Sequence, residues 1–155
     1  MKKSLQHLTQ LEVHTLCKLD LPPRLSEHIQ RQRELNPRNR DNRGWQSRVY
    51  TGQPFDWFNL VYESVESKLG VIDSWWFNVN TPGEYTGWHA HNRYSKVAVL
   101  YVSVPGGDIE FKEGGSYWTE TPKQGDLLVF PGNLTHRVRP NDSSEQRISV
   151  AFNFK

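Results

Sequence analysis

The sequence predicts a mainly β fold, an antiparallel barrel or double-sheet jelly roll with two helices packed against its outside. From residue 71 to the C-terminus, short segments rich in β-branched and aromatic residues alternate with turn residues at close spacing. Before residue 71, apolar residues recur at helical spacing in two segments. A chain of 155 residues with 35% apolar content suits a single domain with a real core. We therefore expect one domain, with a helical lead-in over residues 1–70 and a β-barrel core over residues 71–155.

The lead-in predicts two helices after an ambiguous start. Residues 5–19 alternate loosely between apolar and polar types, which leaves a strand pair or an irregular segment open. A first helix is expected from Pro22–Pro23 to Asn36–Pro37, because proline favours the first turn of a helix and cannot continue one. A second helix is predicted over residues 57–69, with Gly70 as its end signal.

The predicted strands of the core are bounded by Gly, Pro and Asn. They cover residues 75–80, 97–104, 109–112, 117–121, 127–130 and 148–154, and the strand at 97–104 is expected to be central.

Residues 140–144 have the composition of a chain reversal, which predicts a hairpin in the C-terminal part of the chain. His136 and Arg147 would then face each other across it, roughly 5 Å apart. Because strand side chains alternate, Ser149 would lie on the same side as Arg147. An arginine in such an apolar strand invites a functional explanation. Taken alone, Arg147 fits an ordinary edge-strand charge better and His136 a hydrogen-bonded loop histidine. The other candidate site residues of the chain are what favour a functional role.

Charge and cysteine content exclude few function classes. The formal net charge of +2 indicates neither a nucleic-acid nor a membrane partner. The lone Cys17 suits a reducing compartment. No apolar run is long enough for the core of a signal peptide or for a membrane span. We therefore expect a cytoplasmic protein. The arginine-rich stretch over residues 31–48 is expected to be a solvated surface, although it could also attract an acidic partner.

Three histidines form a candidate metal site. His89 and His91 are two residues apart on extended chain, so both imidazoles can point to one ion. His136 is the candidate third ligand. Three imidazoles suit Fe(II), Zn, Ni, Cu or Mn, and three protein ligands leave positions open for catalysis.

These residues belong to a series of motifs that resembles a known family. The series consists of 44–47, 76–83, His89-Ala90-His91, 100–105, 125–131, His136 and 147–153. Over residues 44–155 it is similar to small 2-oxoglutarate- and iron(II)-dependent oxygenases of bacteria and phages. The most specific element is the spacing of ten residues between His136 and Arg147, followed by Ser149 two positions later. The resemblance implies a double-stranded β-helix, a cupin-like barrel.

The resemblance also implies the cofactors and the reaction. His89 and His136 would ligate Fe(II), while Arg147 and Ser149 would bind the distal carboxylate of 2-oxoglutarate, with Tyr101 beside them. 2-Oxoglutarate and O2 would be co-substrates, with 2-oxoglutarate decarboxylated to succinate as a substrate C–H bond is hydroxylated. The expected partner is a small-molecule or peptide substrate, with nucleic acid disfavoured.

One departure from the wider superfamily concerns the third ligand. The usual pair is His-x-Asp, whereas His91 stands at the position of the carboxylate. His91 is the favoured third ligand, with the alternative that Asp108 or Glu110 approaches the iron instead. A site with three histidines carries one more positive charge, which alters its redox potential and its binding of an anionic co-substrate.

Four residues are candidates for the pocket wall. They are Asn78, Tyr85, Trp88 and Tyr101, and aromatic packing in the core is the competing interpretation for each aromatic residue.

Two rival functions stay open at this point. A cupin enzyme that does not use 2-oxoglutarate would share the barrel and the histidines. Such an enzyme has no need for Arg147 and Ser149. The first cupin motif also requires a glutamate shortly after its histidine pair, and none follows His91 closely. A non-catalytic binding module would use the arginine-rich stretch and require no metal, with binding that weakens steeply in salt.

Overall fold

Two helices and ten β-strands make up the part of the chain that the computed structural model describes, residues 12–37 and 44–155. Helix α1 spans Leu25–Leu35, and a 3-10 turn at Asp56–Phe58 leads into helix α2, Asn59–Leu69. The strands are β1 (His14–Lys18), β2 (Trp45–Gln46), β3 (Ser74–Asn80), β4 (Thr86–His89), β5 (Lys96–Ser103), β6 (Ile109–Glu113), β7 (Ser116–Glu120), β8 (Asp126–Pro131), β9 (Thr135–Val138) and β10 (Arg147–Phe154).

Both predicted helices and all six predicted strands are present, with bounds shifted by a few residues at most. The expectations for residues 5–11 and for the arginines within 38–43 lie outside the described residues.

The strands form two antiparallel sheets that face each other. The larger has the order β1-β8-β5-β10-β3-β2 and the smaller the order β4-β9-β6-β7. This confirms the expected mainly β, two-sheet architecture, with β5 and β10 central in the larger sheet. The lead-in also supplies strands, because β1 and β2 form the two edges of the larger sheet.

Strand alternation divides the apolar residues of the larger sheet between two cores. On β10, Ile148, Val150, Phe152 and Phe154 face the helices, where they pack with Leu25, Ile29, Val61 and Val65. On β5, Val97, Val99 and Tyr101 point to the other face and pack between the sheets with Phe111 and Phe130. Each fully buried side chain of this kind contributes about 1.5–3 kcal/mol of transfer free energy.

Aromatic stacking fixes the helices on the outer face of the larger sheet. The Phe58 ring stacks on the Trp75 ring of β3 at 4.7 Å, and both are fully buried. The Trp75 indole N–H donates to the Gly52 carbonyl at 2.8 Å. The predicted packing of helices against the outside of the barrel is therefore correct, and it leaves the inner face of the sheet free to build a site.

The predicted hairpin between His136 and Arg147 is wrong. His136 lies on β9 of the smaller sheet, while Arg147 lies on β10 of the larger sheet, opposite Asn80 of β3. The turn-forming segment 140–144 carries the chain from one sheet to the other instead of closing two paired strands. His136 and Arg147 still line one cavity, because their sheets face each other.

Candidate metal and co-substrate site

Two of the predicted metal ligands are cross-strand neighbours at the open end of the smaller sheet. His89, the last residue of β4, is the direct partner of His136 on β9. Antiparallel pairing places side chains of opposed residues on the same face, and the two imidazole centroids are 4.2 Å apart. His136 is 4% exposed and packs edge-on against the Phe130 ring.

The third histidine, His91, follows β4 in a tight loop. Its backbone N–H donates to the Gly132 carbonyl at 2.7 Å, and its own carbonyl accepts from the Tyr94 N–H at 3.0 Å. A Cβ at position 132 would collide with the Tyr94 and His91 carbonyl oxygens, so glycine is needed for this approach. The His91 ring reaches within 5.2 Å of His89 and 5.1 Å of His136, measured between centroids.

The Nδ1 atom of each imidazole is held by an oxygen acceptor. In His89 it donates to the Gly87 carbonyl at 2.8 Å, and in His136 to the Leu134 carbonyl at 3.0 Å. In His91 it donates to the Asn153 side-chain oxygen at 2.7 Å. A proton on Nδ1 leaves the Nε2 lone pair of each ring free for a metal ion.

The ring nitrogens form the only group of three or more candidate metal ligands among the described residues, with atoms within 4.8 Å of one another. Burial lowers the pKa of His91 and lowers the pKa of His136 well below the usual value, and the charge of neighbouring His89 adds to both effects. Neutral imidazole is the form that binds metal. Glu110 pairs with Arg137 at 2.6 Å instead of joining the histidines.

Arg147 lines the same cavity and is almost completely buried, with 2% exposure. Its Nε donates to the Gly107 carbonyl at 2.9 Å, and its guanidinium lies 5.2 Å from the Tyr101 ring centroid. Its Nη2 has no hydrogen-bond partner, and none of the ion pairs among the described residues includes it. Burial lowers its pKa from the ordinary value, against the opposing effects of the Tyr101 and Asp108 side chains.

Tyr101 supplies a second unpaired polar atom beside Arg147. The side chain is fully buried, and its hydroxyl has no hydrogen-bond partner. Burial raises the pKa of this phenol to about 12, against the opposing effect of the Arg147 charge. The phenol is therefore neutral at physiological pH and can donate a hydrogen bond.

Ser149 and Asn78 complete the wall next to Arg147. They are direct partners on β10 and β3, and the Asn78 amide nitrogen lies 3.5 Å from the Ser149 hydroxyl. Both line the narrow inner cavity together with Tyr101, Arg147 and the three histidines.

The remaining two candidates for the pocket wall lie elsewhere. Trp88 lines a wider outer groove that adjoins the histidines, and its ring packs between the Lys112 ammonium at 4.4 Å and the Arg137 guanidinium at 4.7 Å. Tyr85 is 40% exposed and lines neither the inner cavity nor the outer groove.

Three residues that the sequence reasoning did not single out also shape the site. Trp76 stacks on the His91 ring at 5.6 Å with a 9° interplanar angle, and Asn153 holds the Nδ1 atom of that ring. Gln46 lines both the cavity and the groove and donates to Asn78 at 3.1 Å. Strand alternation could have indicated Asn153, since it shares a face with Arg147 and Ser149. The roles of Trp76 and Gln46 depend on contacts between distant segments.

A comparison with protein families bears on this arrangement. Residues 108–153 match the family model described as "Putative 2OG-Fe(II) oxygenase". This match covers the C-terminal third of the chain, which is therefore similar to 2OG-Fe(II) oxygenases. The matched segment includes His136, Arg147 and Ser149, and the match agrees with the Fe(II) cofactor and the 2-oxoglutarate and O2 co-substrates predicted from the sequence.

Several solved structures share the fold of this chain. A Pseudomonas putida prolyl-4-hydroxylase is 20% identical, with a TM-score of 0.62 and 84% of each chain covered. A 2OG-Fe(II) oxygenase family protein from Burkholderia pseudomallei is 14% identical, with a TM-score of 0.68 over 98% of this chain and 88% of the other. These similarities confirm the double-stranded β-helix.

The fold does not by itself separate oxygenases from cupins. A mutant form of Bacillus subtilis oxalate decarboxylase aligns with a TM-score of 0.51 at 17% identity, over 72% of this chain and 26% of its own. A comparison with curated proteins gives no match. Among the described residues, no helix is long and apolar enough to cross a membrane.

The residues present fit both expected ligands. Three imidazoles whose Nδ1 atoms face oxygen acceptors have Nε2 atoms available for Fe(II). An unpaired buried guanidinium with a phenol and a serine hydroxyl beside it suits a carboxylate.

Proposed function

We propose that the protein is a 2-oxoglutarate- and Fe(II)-dependent hydroxylase in which His89, His91 and His136 hold the metal. Arg147 binds the distal carboxylate of 2-oxoglutarate, with Ser149 and Tyr101 as hydrogen-bond donors. The family match supports the reaction class, and the geometry of the cavity supports these residue roles.

The observation that carries the proposal is the unpaired buried charge of Arg147. Placing an ion of this size in the interior costs several kcal/mol unless a counter-ion and hydrogen bonds compensate. The Gly107 carbonyl satisfies one of its donors, and the Nη2 donor faces no acceptor among the described residues. A dianionic co-substrate with one carboxylate at Arg147 and its other end at the histidines supplies the missing charge.

Three groups of cavity residues have distinct roles in the proposed function: the histidines, the co-substrate ligands and the apolar lining. When bound, Fe(II) and 2-oxoglutarate supply the oxygen activation that couples decarboxylation to hydroxylation of a C–H bond. Arg147, Ser149 and Tyr101 hold one end of the co-substrate, so that its 2-oxo acid end is directed to the three Nε2 atoms. The apolar lining, including Val99 and Ile109, excludes water from this region.

The outer groove is the proposed entrance for the substrate. It opens directly at His89 and His91 and is lined by Trp76, Trp88 and Tyr94. The groove is wider than the inner cavity, and its aromatic walls suit a small molecule or a side chain of a peptide.

Asn78 and Trp88 are the proposed substrate-pocket residues. Asn78 lies in the inner cavity and Trp88 at its entrance, whereas the exposed Tyr85 would contact only a substrate that extends beyond the groove. A reducing, cytoplasmic compartment is proposed on the basis of the single free Cys17.

Titration of 2-oxoglutarate into the metal-loaded protein by calorimetry tests the role of Arg147. Truncating one partner of a buried charge pair costs about 2–5 kcal/mol, so Arg147→Ala should weaken binding by at least about 30-fold. Arg139→Ala is the matched control, because Arg139 is an exposed arginine nearby and should leave the affinity unchanged.

Equal affinities of the wild type and Arg147→Ala would contradict the proposal. Absence of 2-oxoglutarate binding together with tight metal retention would favour the cupin alternative, which has no need for Arg147.

A further inference from the structure

The three histidines of the candidate metal site are oriented in two different ways. His89 and His136 donate their Nδ1 protons to backbone carbonyls two residues earlier in their own chain segments, at Gly87 and Leu134. These acceptors are fixed by the path of the strands. His91 instead donates to a side chain, the Asn153 carboxamide, which comes from β10 in the opposite sheet.

The Asn153 carboxamide belongs to a chain of hydrogen bonds that reaches β3 and the loop after β4. Its Nδ2 donates to the Ser74 hydroxyl at 3.1 Å, and that hydroxyl donates to the Tyr94 hydroxyl at 3.3 Å. In this arrangement the amide nitrogen, which only donates, faces Ser74, and the amide oxygen faces His91. The oxygen only accepts, which keeps the His91 proton on Nδ1 and the lone pair on Nε2.

Because Asn153 is buried, a solvent water molecule cannot readily take its place as the hydrogen-bond acceptor of His91. Asn153 is 4% exposed and Ser74 is 5% exposed, so neither side chain has free access to solvent. The His91 ring is also restrained on one face by Trp76, whose indole N–H donates to Asn78 at 3.2 Å. Trp76 restricts the tilt of the ring, but a stacked ring does not choose between the two tautomers.

We propose that Asn153 is the positioning residue of the metal site, and that it selects the His91 tautomer that can bind metal. The proposal rests on the proposed function, since it concerns a ligand of the same metal. It assigns β10 two tasks, because Arg147 and Ser149 hold the co-substrate while Asn153 orients a metal ligand on the same face of the strand.

Nitrogen-15 spectra of the metal-free protein, labelled at histidine, test the tautomer directly. At pH 8, above the ordinary histidine pKa of about 6.5, the wild type should show His91 with its proton on Nδ1. Asn153→Ala should abolish this preference for His91 alone. His89 and His136 serve as internal controls, because their acceptors are backbone carbonyls.

Binding of Co(II), measured by chelator competition, tests the consequence for the metal. Loss of a residue that orients a ligand typically costs about 10–100-fold in metal affinity, and we expect this loss for Asn153→Ala. Asn153→Asp keeps an oxygen acceptor at the same position and should bind Co(II) at least as tightly as the wild type. Asn141→Ala is the control for lost stability, because Asn141 is equally buried but bonds the 141–145 turn, and its Co(II) affinity should not change.

An unchanged His91 tautomer, or wild-type Co(II) affinity, in Asn153→Ala would overturn the proposal. Equally weakened Co(II) binding in Asn153→Ala and Asn153→Asp would also overturn it. An oxygen acceptor at position 153 would then not be what supports metal binding. Failure of the wild type to bind Co(II) contradicts the proposed function instead, and the spectra of the metal-free protein still decide the role of Asn153.

Discussion

At the residue scale, the site is defined by buried polar atoms without partners inside the protein. The Tyr101 hydroxyl and the Arg147 Nη2 both lie in the interior without a hydrogen bond. Each unsatisfied group of this kind costs about 1–3 kcal/mol of folding free energy. In the proposed function these two groups lower the stability of the ligand-free protein, and a bound carboxylate would recover the cost.

Tyr101→Phe should change stability and binding in opposite directions. The variant removes a hydroxyl that has no partner in the metal-free protein, so its free energy of unfolding should equal or exceed that of the wild type by about 1 kcal/mol. Binding of 2-oxoglutarate should weaken by about threefold to tenfold, the value of one hydrogen bond. Urea unfolding and calorimetry measure the two effects, and a destabilised variant with unchanged affinity would contradict this account.

The raised pKa of Tyr101 predicts a loss of stability at alkaline pH. In the unfolded chain this phenol ionises near pH 10, whereas burial raises its pKa to about 12 in the folded protein. The unfolded state therefore releases its proton first, and the stabilisation is complete below pH 10 and declines as the pH rises toward 12. Unfolding free energies of the wild type should fall more steeply across this window than those of Tyr101→Phe, and equal slopes would contradict the prediction.

At the scale of elements, β10 and the turn before β6 together position the arginine. Gly107 accepts the Nε proton of Arg147 through its carbonyl and has a φ of 83°. A Cβ at this position would lie 2.9 Å from the Arg139 carbonyl and 3.3 Å from the Arg147 Cδ. The turn is thus strained for residues other than glycine and in direct contact with Arg147, the proposed co-substrate ligand.

Gly107→Ala should lower both stability and 2-oxoglutarate affinity. Gly115→Ala is the matched control, because Gly115 has a similar φ of 86° but open space where the Cβ would be. The free energy of unfolding should fall by about 1–2 kcal/mol in both variants, because alanine is strained in the left-handed backbone conformation. It should fall further in Gly107→Ala, because the added Cβ collides with its neighbours. Only Gly107→Ala should weaken 2-oxoglutarate binding, as measured by calorimetry, and equal behaviour of the two variants would refute the role of this turn.

The elements were largely predictable from sequence because their signals are local. Alternation around Arg147 and Ser149 indicated a shared face, and the two-residue spacing of His89 and His91 indicated convergent imidazoles. The pairing of β9 and β10 was predicted wrongly, because the composition of residues 140–144 signals a reversal without specifying the sheet that the chain enters. Asn153 acts through partners on β3 and after β4, and no local pattern reports such contacts.

At the scale of the whole molecule, the cavity between the sheets links ligand binding to folding. The three histidines lie on or after strands of the smaller sheet, while Arg147 and Ser149 belong to the larger sheet. A co-substrate that contacts both groups connects the two layers. The helices fix the outer face of the larger sheet and leave this inner face available.

Metal and 2-oxoglutarate should therefore raise the melting temperature cooperatively. A ligand at about 100 times its dissociation constant stabilises the folded state by about 2.7 kcal/mol, which corresponds to roughly 5–10 °C for a domain of this size. Thermal unfolding should show this shift with Co(II) and 2-oxoglutarate together, and a much smaller shift in His136→Ala. An equal shift in His136→Ala would place the binding elsewhere.

The most direct test of the account is the formation of succinate from 2-oxoglutarate. Protein loaded anaerobically with Fe(II) is exposed to air, and the wild type is compared with Arg147→Ala, His136→Ala and the exposed-site control Arg139→Ala. We expect slow uncoupled turnover in the wild type and in Arg139→Ala, and none in the other two variants. Succinate formation that persists in Arg147→Ala or His136→Ala would contradict the assignment of this cavity as the active site.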